Sequence, residues 1–261
     1  MHTDLAASVT TFTALLTYGV SNRVDIGIAI PVVNVRFDGT SIAHIYNTYG
    51  GTLHFFRVDS LGNFTVVDTA WASSNTIGVG DIALRAKVNL SQSARWGSAL
   101  FADLRQPSGN AADLLGSGNV SARGLVVVSA RFGPFSPHLN AGYLYRRGDS
   151  ENSAMLGTAG FDLLVAPPVT LAADVLGQWQ VGASKLPLPP PATYVDGSVV
   201  RRTTIPQMKD NIVGGSVGAK FSLGPVLSAV TNVIFPLTNG GLRPNVEWTI
   251  GAEMNFGVKS K

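Results

Sequence analysis

Ser136, His138 and Asn140, in the stretch FSPHLN, come nearest in this sequence to an activated nucleophile. Residues two positions apart share one face of a strand, so the hydroxyl and the imidazole would be neighbours. Activation also needs a third group to orient the imidazole, and the sequence marks none. The stretch follows the tight turn Gly133–Pro134, at the opposite end of the strands from the long loops. Enzymatic activity is therefore not expected. Metal chemistry is as thinly provided. His44 and His54 lie in a long loop without ligand spacing, and the absence of cysteine excludes thiolate sites and disulfides. The segment Gln106–Asn119, with serines, glycines and acids nearby, offers oxygen ligands for calcium in principle. It reads first as a Gly-rich surface loop. No cofactor is expected.

A larger set of ionisable residues recurs singly along the chain. It comprises Asp25, Asp81, Arg85, Lys87, Asp103, Arg105, Arg123, Arg131, Arg146, Asp162, Asp174, Lys220, Glu247 and Glu253. Facing a lumen, such residues set selectivity or steer the polar group of a solute. The competing reading is that they pair across adjacent strands and fill the interior. Pairing is expected for most of them. Phe101, Leu125 and Val127 fall on the same face as these charges. They form either an apolar patch in a lumen or simple filling, and filling is the expectation.

What positions these residues is a period-two alternation. In VDIGIAIPV, Val24, Ile26, Ile28, Ile30 and Val32 point one way, while Asp25, Gly27, Ala29 and Pro31 point the other. The last such segment sets Val246, Trp248, Ile250, Ala252, Met254 and Phe256 against Glu247, Thr249, Glu253 and Asn255. Alternation of this kind is a β-strand between two different environments. The solvent on the apolar side follows from composition. Only 13% of residues are charged, about half the usual share for soluble domains, and the mean hydropathy is +0.23. No run of ~20 apolar residues offers a transmembrane helix. A formal charge of +3 without basic clusters gives no nucleic-acid surface. The apolar faces are thus expected to meet lipid, and the fold to be all-β: an antiparallel up-and-down transmembrane β-barrel, one domain over residues 1–261.

Connections support this. Tight turns at Gly19–Asn22, Ser91–Arg95, Gly133–Pro134, Pro167–Pro168 and Gly224–Pro225 alternate with long loops, among them 38–76 and 183–210. Outer-membrane barrels segregate loops in this way, with short periplasmic turns and long extracellular loops. Trp96, Trp179, Trp248, Tyr18, Tyr143, Tyr145 and Phe256 lie near strand ends, as in interfacial girdles. Eleven strands are recognisable. Bacterial barrels have an even number, so either a strand is missing before Met1 or the loop 38–76 hides an extra crossing. Its segments TLHFFRV and FTVVDTAWA are strand-like, but two such strands would leave the parity unchanged. A twelfth strand is therefore expected before Met1, together with the signal peptide that the sequence does not show. Pro31 cannot donate a ladder hydrogen bond and is expected at a bulge, a strand end or a seam. The run KLPLPPPATY is expected to be a stiff loop segment over the barrel mouth.

Three stretches, LTYGVSNRVDIGIAIPV, GVGDIALRAKVNL and DLRQPSGNAADLLGSGN, resemble in this order the outer-membrane proteins associated with the meta-cleavage pathway of phenol degradation. The resemblance runs from about Leu16 to Phe256. It implies a transporter barrel of the same broad type as the hydrophobic-compound channels, placed in the outer membrane of a Gram-negative bacterium. Its expected contacts are membrane lipids and small apolar or aromatic solutes. The residues GVKSK after Phe256 depart from the terminal aromatic common in such proteins. The alternative function is a structural or surface-interaction barrel, its lumen plugged by side chains and its loops binding a partner.

Overall fold

Extended structure forms wherever the sequence alternates. The computed structural model describes residues 2–45, 55–58, 60–148, 151–193, 196–201, 203, 208–240 and 243–256. His54 and the terminal GVKSK lie outside the described residues. No helix occurs among the described residues. The strands of the first half are β1 (His2–Gly19), β2 (Val24–His44), β3 (Arg57–Val58), β4 (Phe64–Thr65), β5 (Val67–Val79), β6 (Ala83–Gln92), β7 (Trp96–Arg105) and β8 (Ser121–Ala130). Those of the second are β9 (Phe135–Arg146), β10 (Ala154–Ala166), β11 (Val169–Gln180), β12 (Ala192–Thr193), β13 (Val199–Val200), β14 (Ile212–Ser222), β15 (Leu227–Pro236) and β16 (Glu247–Met254).

Twelve strands make one sheet, ordered β1-β2-β6-β7-β8-β9-β10-β11-β14-β15-β16, with β5 also paired to β2. Because β5 and β6 are successive partners of β2, the twelve strands amount to the eleven traversals counted in the sequence. Neighbours in this order are neighbours along the chain, which is an up-and-down meander. β1 and β16 are its two edges, and no pairing between them is among those of the described residues. With eleven antiparallel traversals, β1 and β16 run in the same direction. Short connections (20–23, 93–95, 131–134, 167–168, 223–226) lie at one end of the strands and longer ones (106–120, 147–153, 181–211, 237–246) at the other.

The chain divides into two compact units. The first comprises Met1–Leu15, Ala29–Ile82 and Gln106–Gly118. Here one expectation is corrected: the segment 38–76 is strand along both arms, Asp38–His44 pairing with Val67–Ser73. The reason it reads as a loop is a change of polarity rather than a loss of strand. On one face, Phe12, Val32, Ile77 and Val79 are exposed and apolar. Beyond them the same face carries Ser8, Arg36 and Asp38, with Asn75 and Ser73 in register with those last two. The strands are aligned by the Thr3–Ser41 hydroxyl contact at 3.2 Å and by Leu5 against Gly39. On this face β2 turns polar at Asn34 while its partner Ile77 on β5 is still apolar, and Trp71, opposite Thr40, is 81% exposed further out. On the opposite face Val35 is buried, at 6% exposure, and Leu115 at 8%. Gly78 makes this possible, since a Cβ there would stand 2.7 Å from Leu115 Cδ1.

Leu115 is delivered by a compact loop. The Asp81 carboxylate accepts hydrogen bonds from Gly109 N–H (3.1 Å), Ser117 N–H (2.8 Å) and the Ser117 hydroxyl (2.7 Å). Ser108 Oγ donates to Gly80 O and accepts from Ile82 N–H, each at 2.9 Å. Asp113, the acid within the loop, accepts from Asn110 Nδ2.

The second unit comprises Leu16–Ile28, Ala83–Arg105 and Asn119–Lys261. Its strands keep one apolar face throughout: Leu84, Leu100, Val126, Leu139, Met155, Leu171, Val175 and Val217 are each 44–56% exposed. Glycine pairs on this face are covered by aromatics, as where Trp179 lies over Gly157 and its partner Gly177. The segment 183–210 contains the hairpin β12–β13. At its tip Asp196 accepts Ser198 N–H at 2.8 Å. Bonds from the Ser198 hydroxyl and amide hold this carboxyl below the usual range. Residues 184–191, with most of the proline run, have no regular structure. Among the described residues no large side chain is fully buried, and the most buried apolar residues are chiefly alanines (Ala29, Ala83, Ala99, Ala130, Ala154).

Candidate functional site

The polar face of the second unit gathers the charges that the sequence scatters. The β6–β7 register sets Arg85 opposite Asp103, and the β7–β8 register sets Asp103 opposite Arg123. Three strands thus bring a cation, an anion and a cation into one row. Arg105, two residues along β7, reaches back to the same carboxylate. Asp103 accepts from Arg85 Nε at 3.1 Å, Arg105 Nε at 3.3 Å and Arg123 Nη2 at 3.4 Å. The Asp103 side chain is 2% exposed, whereas those of Arg85, Arg105 and Arg123 are 31%, 49% and 30% exposed. The carboxylate is buried beneath its three partners, whose heads remain accessible. One row along, Lys87, Phe101, Leu125 and Gly142 follow in register. Phe101 lies 5.6 Å from the Arg123 guanidinium, in cation–π range.

A second cluster spans β9, β10 and β11. His138 Nε2 lies 2.7 Å from Asp174 Oδ1, and Nδ1 lies 3.7 Å from Asp162 Oδ2. His138, Gly160 and Asp174 occupy one row, so the His138–Asp174 bond passes over the middle strand at a glycine. Gly160 is required there, because an added Cβ would run into Asp174 Oδ1 and Ala173 O. Both imidazole nitrogens thus face carboxylates, and Ser136 stands opposite Asp162 in the β9–β10 register. The orienting acid that the sequence did not show does exist, but the nitrogen a nucleophile needs is turned toward Asp162. Next to this cluster is a cavity of about 480 Å³, lined among others by Arg95, Arg131, Ser129, His138, Asn140 and Asp162.

No family model matches the chain, and no curated protein matches it. Among solved structures it is similar to a Pseudomonas aeruginosa FadL homologue, at 12% identity and a TM-score of 0.46. The similarity covers 89% of this chain and 60% of that one, so the chain spans about three-fifths of that protein's length. The likeness to the phenol-degradation proteins therefore rests on the three stretches quoted above.

The remaining sequence candidates fall into place around these clusters. Lys220 bridges to Glu253 at 2.8 Å, from β14 across β15 to β16. Arg146 pairs with Glu151 at 3.1 Å and donates to Asn152 O, tying down the 147–153 connection. Arg131 lines the cavity. Asp25, Lys87 and Glu247 join no ion pair among the described residues. Asp81 serves the 106–118 loop, not the charge clusters. The gathering of Arg85, Arg105 and Arg123 on one carboxylate, and the role of His138 as a bridge, are absent from the sequence reading. Their one visible trace is the recurrence of these residues at the polar parity of adjacent strands.

Proposed function

We propose that this chain is a bacterial outer-membrane β-barrel that admits small apolar or aromatic solutes by passive diffusion. The observation that carries the reading is the placement of apolar surface. Large aliphatic and aromatic side chains stand exposed on one face of successive strands, while the opposite face holds ion pairs and hydrogen-bonded polar groups. In water this is inverted: burial of such side chains is the main favourable term in folding. Against lipid it is the arrangement of lowest free energy. The β2–β5 ribbon continues past the apolar row of Val32 and Val79, and its mixed polar and apolar face suits a segment beyond the hydrocarbon band. The polar face then lines a lumen, and the long connections frame its outer mouth.

Bridges such as His138–Asp174 and Lys220–Glu253 favour the second reading, a barrel plugged by its own side chains. Reconstitution in planar bilayers separates the two. A channel gives discrete conductance steps, whereas their absence at protein densities that give steps for a general porin leaves the plugged barrel standing.

A further inference from the structure

We propose that the Arg85–Arg105–Arg123 cluster is a binding site for the carboxylate of a solute with an apolar body. The inference rests on the channel reading above, since the site faces the lumen only in a barrel. Three guanidinium groups share one carboxylate, which leaves two positive charges in excess. Arg85 and Arg105 spend only Nε on Asp103, and their Nη groups have no hydrogen-bond partner among the described residues. Arg123 gives one Nη2 contact, and its Nε is buried without a partner. Pairing that served only to fill the interior would match the charges, as Lys220 and Glu253 do. Here a buried acid instead fixes three bases in place and leaves their forks accessible.

A guanidinium fork matches a carboxylate in two parallel hydrogen bonds, and it does so more strongly where water is displaced. Among the described residues no second acid pairs with these arginines. Asp25 lies on the strand beside β6, two residues from Arg23, whose carbonyl accepts Asn89 N–H at 2.7 Å. That places it toward Lys87. Phe101 and Leu125 stand one row from the cluster, ~7 Å along the strands, and Arg123 already stacks toward Phe101. An anionic head at the arginines therefore puts its apolar body against Phe101 and Leu125. A neutral solute gains only the second contact, and inorganic phosphate only the first.

The test is calorimetric titration of the folded protein in detergent micelles with benzoate, benzyl alcohol and inorganic phosphate at neutral pH. Benzoate should bind ~10-fold or more tightly than either comparator, the range of a charge-assisted bond gained or lost. The R85Q/R105Q double variant should reduce benzoate affinity by a similar factor. Equal affinity for benzoate and benzyl alcohol overturns the proposal, and that comparison needs no variant to fold. Phosphate binding as tight as benzoate overturns the apolar-body half. Benzoate affinity unchanged in a folded R85Q/R105Q protein overturns the location. The channel reading fails separately: benzoate binding without conductance steps removes transport and keeps the site, and steps without benzoate binding do the reverse.

Discussion

Replacing Val175 by arginine tests the assignment of faces most directly. Val175 is the seventh residue of the twelve in β11 and is 50% exposed. Six residues from the strand start, at ~3.3 Å each and a tilt near 40°, put it roughly 15 Å deep, close to the middle of the apolar band. Its cross-strand partners are Ala159 and Gly215, so no carboxylate stands in register to neutralise a new charge. An arginine at the midplane of such a barrel costs about 2–4 kcal/mol. The paired control is Ala172→Arg. Ala172 lies on the polar face directly opposite Asp162, where a guanidinium gains a partner. Reversible urea unfolding in phospholipid vesicles, followed by tryptophan fluorescence, measures both. V175R should lower the unfolding free energy by the full ~2–4 kcal/mol and A172R by under ~1 kcal/mol. If V175R costs less than ~0.5 kcal/mol, as surface substitutions in water do, or if A172R costs as much, the assignment of lipid to the apolar face is refuted.

Three further outcomes are expected. Gly160→Ala should displace Asp174 from His138; losing a charge-assisted bond (~1.5–3 kcal/mol) against the small backbone gain leaves about 1–2 kcal/mol of destabilisation by the same unfolding measurement. Gly124→Ala, where an added Cβ meets nothing within 4 Å, should leave stability unchanged or slightly raised. Asp81→Ala removes the acceptor of three hydrogen bonds to Gly109 and Ser117, so limited proteolysis should begin to cut within 106–118, with cleavage resisted in the parent protein.

The strands of the second unit were legible because the two faces of the sheet impose opposite requirements on alternate residues, and the sequence records both. β11 shows it, with Leu171, Val175 and Trp179 against Thr170, Asp174 and Gln178. The ribbon of the first unit was legible only as strand-like pieces within a segment that reads as a loop. Its outer arm exchanges apolar for polar residues without breaking the extended chain, so a reader who follows greasy positions loses the strand at Asp38. The charge clusters were legible as members and hidden as groups. Arg85, Asp103 and Arg123 meet because two separate turn geometries set two registers, and a shift of one residue in either would turn a side chain to the other face. His138 and Asp174 meet because the strand between them presents a glycine. Neither fact is local to the residues concerned.

Pro31 shows how such non-local dependence is resolved in this fold. A proline inside a strand withholds one N–H from its neighbour. Its carbonyl still serves the ladder, accepting Gly80 N–H at 2.9 Å. Beside it the neighbouring line of chain leaves regular strand between Val79 and Ala83. The backbone groups freed there are claimed by the 106–118 loop. Ile82 N–H donates to Ser108 Oγ, and Ile82 O accepts Gln106 N–H, each at 2.9 Å. Asp81, released from the ladder, becomes the anchor for Gly109 and Ser117, and the loop so held lays Leu115 over Gly78. A missing donor at Pro31, a break at Gly80–Ile82 and a folded loop at Gln106–Gly118 are one solution to one hydrogen-bonding deficit. Buried backbone groups must find partners, and here that requirement, rather than any local propensity, gives the Gly-rich segment its structure.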